Sequence, residues 1–418
     1  MIRRVATVVG LAGVLAAAGA RRPVIRRWPA SIVQAVPCLP ASEAPGALSA
    51  LHAALGLGSL LRGLDARSIG ALRGGLAGAV LNVAALAALA GLRGDADRSA
   101  EILAAALAPL GTPWVLPTAG SPAGRPLARR AARKRYLRAA DLAYGADPAQ
   151  RLDVWARADL DLSAGAPVLV QVHGGGWTGG DKAASAAPLL AFLAERGWVC
   201  VTVNYRLGPG HRWPAMIVDV KRAIAWVQDN IALFGGDAGF VAISGGSSGG
   251  HLAALAALSG GDPGFQPGFT GADTSVAAAV ALYGVHDFSI DEHGLFALLE
   301  GKVIGTARVD DVETWQQASP VHRVGPHAPP FLVVHGSTDT VVSVRQSRRF
   351  VQRLRQVSGQ PVLYAELPHA QHGFDSFPTP RTAHTVRAIH HFLAATHTRY
   401  QSTTVIADCV HPASSPRP

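Results

Sequence analysis

The sequence predicts an α/β protein with a mostly parallel sheet and helices on both faces, and three observations lead to this fold class. From about residue 141, short apolar runs typical of buried strands alternate with segments of helical periodicity. Glycine and proline mark the turns between these segments. The first 110 residues consist instead of long apolar helical stretches. We therefore expect a hydrophobic helical region followed by a sheet domain.

The helical region, residues 1–110, contains three stretches that are apolar enough to be considered as membrane spans. Two arginines precede an apolar run over residues 5–20, which ends in the small-x-small pattern of a signal-peptidase site. Ala44–Leu61 and Gly74–Leu92 contain no Lys, Arg, Asp or Glu, and about 20 apolar residues suffice to cross a bilayer. We predict membrane association. The alternatives are a cleaved signal peptide, which would give a secreted protein, and a soluble helical cap.

Charge is distributed unevenly but does not indicate a nucleic-acid partner. The arginines flanking the apolar stretches select no orientation, because six lie on one side and five, with the terminal amine, on the other. Residues 111–140 are predicted to be a basic linker, densest over Arg125–Arg138, which is either solvated or in contact with anionic lipid headgroups. The net charge is +10, but no nucleic-acid motif accompanies it. The three dispersed cysteines form neither a disulfide framework nor a zinc-binding spacing.

Residues 141–400 are predicted to form the sheet domain, and 401–418, rich in Ser, Thr and Pro, a flexible tail. Residues 95–110 are predicted to be an exposed helix. Residues 258–275 and 285–325 are predicted to be irregular insertions, and either one is a candidate to cover the site. Apolar runs predict strands over Ala166–Val172, Trp198–Val203, Phe240–Ser244, Val276–Tyr283, Pro330–His335 and Pro361–Leu367. Helical periodicity predicts helices from Pro214, over 251–258 and over 381–396.

The most informative motif is Gly245-Gly246-Ser247-Ser248-Gly249, which matches G-x-S-x-G. A predicted strand precedes it and a predicted helix follows it, as required for the sharp turn that exposes a nucleophilic serine. Glycines flank the serine because the turn leaves no room for side chains. The pattern also fits one residue later, on Ser248. We favour Ser247 as the nucleophile, because the N–H of Ser248 then points toward an oxyanion hole.

His173-Gly174-Gly175-Gly176-Trp177 follows an earlier strand and is typical of a loop that supplies oxyanion donors. The N–H groups of Gly175 and Gly176 are expected to face that of Ser248, since glycine lets the backbone approach a substrate closely. We interpret His173 as an anchor of the loop rather than an acid or base. Trp177 is expected either to line the pocket or to pack in the core.

A serine nucleophile needs a base and an acid that orients this base, and both follow the serine in the chain. Asp339 and His372 each lie just beyond a predicted strand. His372 is favoured as the base because of its His-Gly-Phe context, with His369 as the alternative. Asp339 is favoured as the acid because it lies closest before the histidine strand, with Asp287 as the alternative.

Together these motifs resemble the hormone-sensitive-lipase-like carboxylesterases of the α/β-hydrolase superfamily over residues 141–398. The sequence departs from that family at Gly246, because the residue before the nucleophilic serine is most often an aspartate in that family. The tryptophan after the glycines is also found in formamidase-like relatives, whose loop has the pattern His-Gly-Gly-x-Trp. The hydrophobic N-terminus together with this domain resembles membrane-associated actinobacterial esterases. The motifs that carry the resemblance are His173–Trp177, Asn204–Leu207, Trp213–Ala215, the serine turn, Ala318–Pro320, the Asp339 loop and His372–Phe374.

The resemblance implies an α/β-hydrolase fold and hydrolysis of a small-molecule ester or lipid through an acyl-enzyme, with no metal or cofactor. The first alternative is a formamidase or other amidase that uses the same residues, because the acyl-enzyme chemistry is shared. The second is a membrane-tethered binding domain without enzymatic activity. The acyl chain length, the alcohol and the oligomeric state do not follow from the sequence.

Overall fold

The computed structural model describes residues 2–64, 68–112 and 129–410. Within these ranges the chain forms one sheet of eight strands in the order β1-β2-β4-β3-β5-β6-β7-β8. The strands are β1 Leu137–Ala143, β2 Arg151–Trp155, β3 Ala166–Val172, β4 Val199–Val203, β5 Gly236–Gly246, β6 Ala278–Leu282, β7 Phe331–Gly336 and β8 Val362–Leu367. Strand β2 pairs antiparallel with β1 and β4, and β4, β3, β5, β6, β7 and β8 are parallel. The prediction of a mostly parallel sheet is confirmed.

Twelve α-helices lie in the described ranges. They are α1 Ile2–Arg21, α2 Ala30–Glu43, α3 Pro45–Leu64, α4 Ile69–Leu107, α5 Arg129–Tyr136, α6 Ala187–Ala194, α7 Ala215–Asn230, α8 Ser248–Ala257, α9 Phe296–Leu298, α10 Val312–Gln317, α11 Val344–Val357 and α12 Pro380–Val410. Helices α7, α8 and α11 pack on one face of the sheet, and α6 and α12 pack on the other.

The sheet is buried on both faces because its central strands are apolar throughout. In β3, for example, Val168 and Val170 face the core beneath α7 and α8, whereas Leu169 faces the core beneath α6 and α12. Successive side chains of a strand point to opposite faces, so an uninterrupted apolar run indicates a doubly covered strand. Since the central strands are parallel, their carboxyl ends lie along one edge, where ligand sites of open α/β sheets form.

Helices α1, α3 and α4 form a bundle beside the sheet. Asn82 of α4 donates to the Ala6 carbonyl oxygen at 2.9 Å, and Gly91 lies against the Arg21 guanidinium, so α1 runs parallel to α4. His52 of α3 lies against Asn82 of α4, with 2.7 Å between Nδ1 and Oδ1, and the Ser59 hydroxyl further along α3 donates to the Gly75 carbonyl oxygen at 3.1 Å. Helix α3 is therefore antiparallel to α4. Segments of all three, Arg4–Arg21, Pro45–Leu64 and Ile69–Leu110, are long and apolar enough to cross a membrane, judged by length and composition.

The structure differs from the sequence-based predictions in two boundaries and in the burial of one helix. The sheet begins at Leu137 rather than at 141, because the edge strand β1 is too polar to stand out as an apolar run. Helix α12 continues to Val410 across the boundary at 401, and 411–418 lie outside the described residues. Residues 95–110, predicted to be an exposed helix, have a buried face that includes Leu103 and Leu107 and packs with the β8 and α12 side chains. Of the predicted linker, 113–128 lie outside the described residues.

Candidate active site

Ser247 occupies the sharp turn between β5 and α8. Its backbone angles, φ 59° and ψ −126°, lie in a region that a non-glycine residue rarely adopts. A side chain at Gly245 would overlap the Gly249 carbonyl oxygen, and one at Gly249 would overlap the Val172 carbonyl oxygen. The Ser247 N–H donates to the Leu282 carbonyl oxygen at 2.9 Å, which ties the turn to strand β6. The glycine pattern thus follows from the crowding of this turn.

His372 lies between Ser247 and Asp339. Its Nε2 is 2.9 Å from the Ser247 Oγ, and its Nδ1 is 2.7 Å from an Asp339 carboxylate oxygen. Asp339 comes from the loop after β7 and His372 from the loop after β8, so the carboxyl ends of parallel strands bring the three together. The arrangement matches the hydrogen-bonded line in which a carboxylate orients an imidazole and the imidazole activates a hydroxyl.

The Asp339 carboxylate is buried, and both of its oxygens have hydrogen-bond partners. One oxygen accepts from the N–H groups of Val341 and Val342 at 2.8 and 2.9 Å, and the other faces His372, with His335 Nε2 at 3.3 Å. Burial by itself would raise the pKa of Asp339, but the neighbouring His372 and the hydrogen bonds outweigh it. The pKa of Asp339 is therefore held well below its usual range, and the group is an anion at neutral pH.

The alternatives from the sequence lie elsewhere. The Ser248 side chain is 1% exposed, and this residue begins α8. Asp287 accepts from the Ser289 N–H at 2.9 Å in its own turn. His369 faces Asp95 of α4, with 2.9 Å between Nδ1 and the carboxylate. The hydrogen-bonded line to His372 therefore runs through Ser247 and Asp339.

The glycine loop after β3 lies against the serine turn. Gly175 and Gly176 have φ of 133° and 62°, which favour glycine, and both line the cavity that contains Ser247. A side chain at Gly174 would lie 2.7 Å from the Gly246 carbonyl oxygen, so the two turns are in close contact. Among the residues that the structure describes, none accepts a hydrogen bond from the N–H of Gly175, Gly176 or Ser248. These three donors are thus available to a ligand.

His173 and Trp177 hold the two ends of this loop. The His173 ring stacks on Tyr205 with 4.4 Å between ring centroids, and the Tyr205 hydroxyl donates to the His173 carbonyl oxygen at 2.9 Å. Burial lowers the pKa of His173, so the ring is neutral. Trp177 is buried, and its indole N–H donates to His251 Nδ1 at 3.0 Å. Trp177 also lines the cavity, so both sequence interpretations of this residue apply.

A cavity of about 570 Å³ opens above Ser247 and His372. Val285, Leu295 and Leu298 line it, so the predicted insertion 285–325 does cover the site. The insertion 258–275, all of which the structure describes, contributes no lining residue. Sequence reasoning missed the contribution of the helical region: Trp28, Ile32 and Ala35 also line the cavity. The one available signal was a tryptophan directly after an arginine-rich turn.

Buried polar contacts fasten the helical region to the loops of the site. Arg381 pairs with Glu43 of α2, donates to the Ser99 hydroxyl of α4 at 3.2 Å and to the Pro368 carbonyl oxygen at 3.0 Å. Pro368 begins the loop that carries His372. The contact between Asp95 and His369, described above, joins α4 to the same loop. The helical region therefore contacts the loop that positions the imidazole.

Comparison with known proteins places this chain among esterases. A family model described as BD-FAE matches residues 152–354. The "Probable carboxylic ester hydrolase LipM" of Mycobacterium tuberculosis is 49% identical over 288 residues, 67% of this chain and 67% of the relative. "Esterase LipC" of the same organism is 44% identical over 316 residues, 73% of this chain and 77% of the relative.

A solved structure agrees with these relatives. Thermogutta terrifontis esterase 2, phosphonylated by sarin, superposes with a TM-score of 0.51 at 25% identity, over 60% of this chain and 90% of that chain. The relatives carry the names of ester hydrolases, so they do not favour the amidase alternative or a binding domain without activity. The chain is therefore a carboxylic ester hydrolase and belongs to the hormone-sensitive-lipase-like carboxylesterases of the α/β-hydrolase superfamily.

Proposed function

We propose that Ser247, His372 and Asp339 are the catalytic triad of this esterase. The observation that carries the proposal is the continuous hydrogen-bonded line, 2.9 Å from Ser247 Oγ to His372 Nε2 and 2.7 Å from Nδ1 to Asp339. A serine hydroxyl is a weak nucleophile at neutral pH, and it needs a base within hydrogen-bond distance. Asp339, an anion in this site, fixes the tautomer in which His372 Nε2 can accept the proton.

In the first half-reaction, Ser247 Oγ forms a bond to the ester carbonyl carbon while its proton moves to His372 Nε2. The tetrahedral intermediate then collapses, the bond to the alkoxy oxygen breaks, and His372 returns the proton to the leaving alcohol. In the second half-reaction, water gives a proton to His372 and attacks the acyl-enzyme. The carboxylic acid leaves and Ser247 regains its proton, so the protein ends unchanged.

The N–H groups of Gly175, Gly176 and Ser248 are proposed as the oxyanion hole. Negative charge develops on the substrate carbonyl oxygen during each attack, and fixed donors stabilise it more than they stabilise the neutral ester. One such donor contributes about 3–4 kcal/mol in the transition state. Two of these donors line the cavity, and the third is the first N–H of α8, whose helix dipole adds to the effect.

The test compares two neighbouring serines on a soluble ester such as p-nitrophenyl butyrate. Ser247→Ala should lower kcat by at least about 10³-fold, since loss of a triad nucleophile leaves only the oxyanion hole and binding. Ser248→Ala is the matched control, because it fits the same glycine pattern but keeps its backbone N–H, and it should stay within about tenfold of the parent chain. Retained activity in Ser247→Ala would reject the triad.

We also propose that residues 1–110 attach the enzyme to a membrane and that the catalytic domain, drawn from the sequence as 141–400, lies beside it. The three apolar helical segments support this proposal. The full-length chain should remain in the membrane pellet after a high-salt wash and enter solution only with detergent. Recovery in the soluble fraction would contradict membrane attachment and would leave the triad unaffected.

A further inference from the structure

The bundle of α1, α3 and α4 has a defined end on the side of the catalytic site. Gly91 of α4 lies against Arg21 at the end of α1, and Gly46 at the start of α3 lies beside Arg93 of α4. The two arginines therefore lie at one level, and the apolar part of α4 ends there too. Arg21 and the nearby Arg22 and Arg27 are exposed. Arginines at the ends of apolar helices mark the headgroup level of a membrane.

A contact to the loop of His372 lies within one helical turn of that level. Asp95, only three residues after Leu92, contacts His369 in the loop of His372. Three residues of α-helix rise about 4.5 Å, less than one turn. Helix α4 is continuous from Ile69 to Leu107, so the last apolar turn and the contact to the site belong to one rigid element. The catalytic loops are thus held next to the proposed membrane surface.

Helix α2 lies at the same level, because its Gln34 and Cys38 lie against Gly19 near the end of α1, and it borders the mouth of the cavity. Trp28, Ile32 and Ala35 line the cavity, while Val33 and Val36 of the same helix are 72% and 67% exposed. Ile32 does both, since it lines the cavity and is 38% exposed. The apolar surface is therefore continuous from the outside of α2 into the catalytic cavity.

Two further exposed apolar side chains extend this surface into the turn before α2. Val24 and Ile25 are exposed among the arginines of that turn. The interfacial patch, as we call this surface, comprises Val24, Ile25, Ile32, Val33 and Val36. An apolar patch beside arginines at the end of membrane-spanning helices is the composition that inserts among lipid headgroups and acyl chains. A lipid surface is the occupant that this combination of apolar area and positive charge fits.

We propose that the ester reaches Ser247 directly from the bilayer, over the interfacial patch, and that the physiological substrate is a membrane-partitioned ester with a long apolar chain. The proposal rests on the triad and the membrane attachment proposed above. The cavity itself is suited to such a chain, because Val285, Leu295 and Leu298 line it together with Ile32. A soluble short-chain ester needs no contact with the interfacial patch. Its hydrolysis therefore measures the chemical step alone, whereas hydrolysis of a membrane-embedded ester also measures entry over the patch.

The experiment uses the full-length chain in vesicles that contain anionic phospholipid. Val33→Glu and Val36→Glu place a charge on the patch at positions that do not line the cavity. Each should lower hydrolysis of vesicle-embedded p-nitrophenyl palmitate by about tenfold, since transfer of one valine side chain into lipid is worth at least that factor. Hydrolysis of soluble p-nitrophenyl acetate should change less than about twofold. Flotation should find both variants on the vesicles, because their spans are intact.

Leu233→Glu is the control for an added exposed charge. Leu233 is 74% exposed in the segment before β5, at the opposite end of that strand from Ser247. Leu233→Glu should leave hydrolysis of both the embedded and the soluble ester unchanged. Equal rates on the embedded ester for all three variants and the parent chain would overturn the entry route. Equal losses on both esters would also overturn it, because the patch would then act on the chemistry. Unchanged hydrolysis of soluble p-nitrophenyl acetate in Ser247→Ala would instead reject the proposed triad, and it would leave the entry route undecided by the patch variants.

Discussion

The Tyr283 ring fills the space in which a side chain at residue 246 would lie. A Cβ on Gly246 would be 2.6 Å from the Tyr283 hydroxyl oxygen and 3.0 Å from the ring carbon that carries it. Tyr283 cannot move aside easily, because its hydroxyl donates to the half-buried Asp375 and its ring contacts His372, with 4.7 Å between centroids. Gly246, the residue at which this chain departs from its family, is therefore matched to a tyrosine that supports His372, the proposed base.

Gly246→Ala should accordingly displace Tyr283 and with it His372. A catalytic group misplaced by about 1 Å costs on the order of 10²-fold, so we expect kcat on p-nitrophenyl butyrate to fall by about 10- to 100-fold with KM little changed. The backbone of Gly246 is not in the left-handed region, so steric overlap is the cause tested.

The Gly246→Ala/Tyr283→Ala double variant is the control for this overlap. Removing the ring vacates the space, so the double variant should be more active than the two single losses combined would give, as expected for residues in contact. Strictly additive losses would show that residue 246 acts independently of Tyr283.

Asp339, the proposed acid of the triad, can be tested by removing its charge without changing its shape. Asp339→Asn would leave a neutral amide facing His372 Nδ1 and favour the tautomer that cannot accept the serine proton. We expect kcat to fall by about 10⁴-fold near neutral pH. Asp287→Asn is the matched control, because this aspartate also follows a strand but bonds within its own turn. A comparable loss in Asp287→Asn would contradict the assignment.

The glycine loop after β3, proposed to supply oxyanion donors, contains two adjacent glycines with different surroundings. A Cβ on Gly175 would overlap the Gly179 carbonyl oxygen, whereas one on Gly176 would meet only Leu298, at 3.6 Å. Gly175→Ala must therefore rebuild the loop and should lower kcat by about 10²- to 10³-fold, the effect of losing one oxyanion donor. Gly176→Ala adds only strain at φ 62°, a cost of about 1–2 kcal/mol, and should retain more activity. A smaller loss in Gly175→Ala than in Gly176→Ala would argue against this loop as the donor site.

The parallel sheet and the meeting of Ser247 with His372 followed from local signals in the sequence. Glycine spacing defines the sharp turn, and parallel strands carry their following loops to one edge, so chain order predicted the contacts. The contribution of Trp28 and Ile32 to the cavity could not be predicted in this way. Their distance from Ser247 along the chain exceeds 200 residues, and helical periodicity does not say which apolar face lies over a site and which faces outward.

Buried polar pairs were equally inaccessible from the sequence. Nothing in the sequence around Glu43 or Asp95 indicates that Arg381 and His369 contact them. The structure shows instead that these four residues connect the helical region to the loop of the base. Such pairs arise from tertiary contacts between distant segments, and neither residue has a spacing that predicts its partner.

The strongest of these connections, between Glu43 and Arg381, makes stability depend on pH in a predictable direction. Both side chains are 1% exposed. Burial raises the pKa of Glu43 from 4.5 to about 7, although Arg381 lowers it. Between these two values the folded chain binds more protons than the unfolded chain. The contribution of Glu43 to the free energy of unfolding therefore falls as pH rises through this window, and Glu43→Gln should remove that contribution.

Arg381→Met should be far more destabilising at about pH 8 than at about pH 5. At the higher pH the variant buries the Glu43 anion without its partner, which costs about 3–5 kcal/mol. At the lower pH Glu43 is protonated, and the loss is confined to the hydrogen bonds of Arg381 to Glu43, Ser99 and Pro368. Urea unfolding in detergent measures both values, with Arg353→Met, on the exposed surface of α11, expected to change stability by less than about 0.5 kcal/mol. Equal losses at the two pH values would mean that the charge of Glu43 contributes nothing, and that Arg381 acts only through its hydrogen bonds to α4 and to the loop of His372.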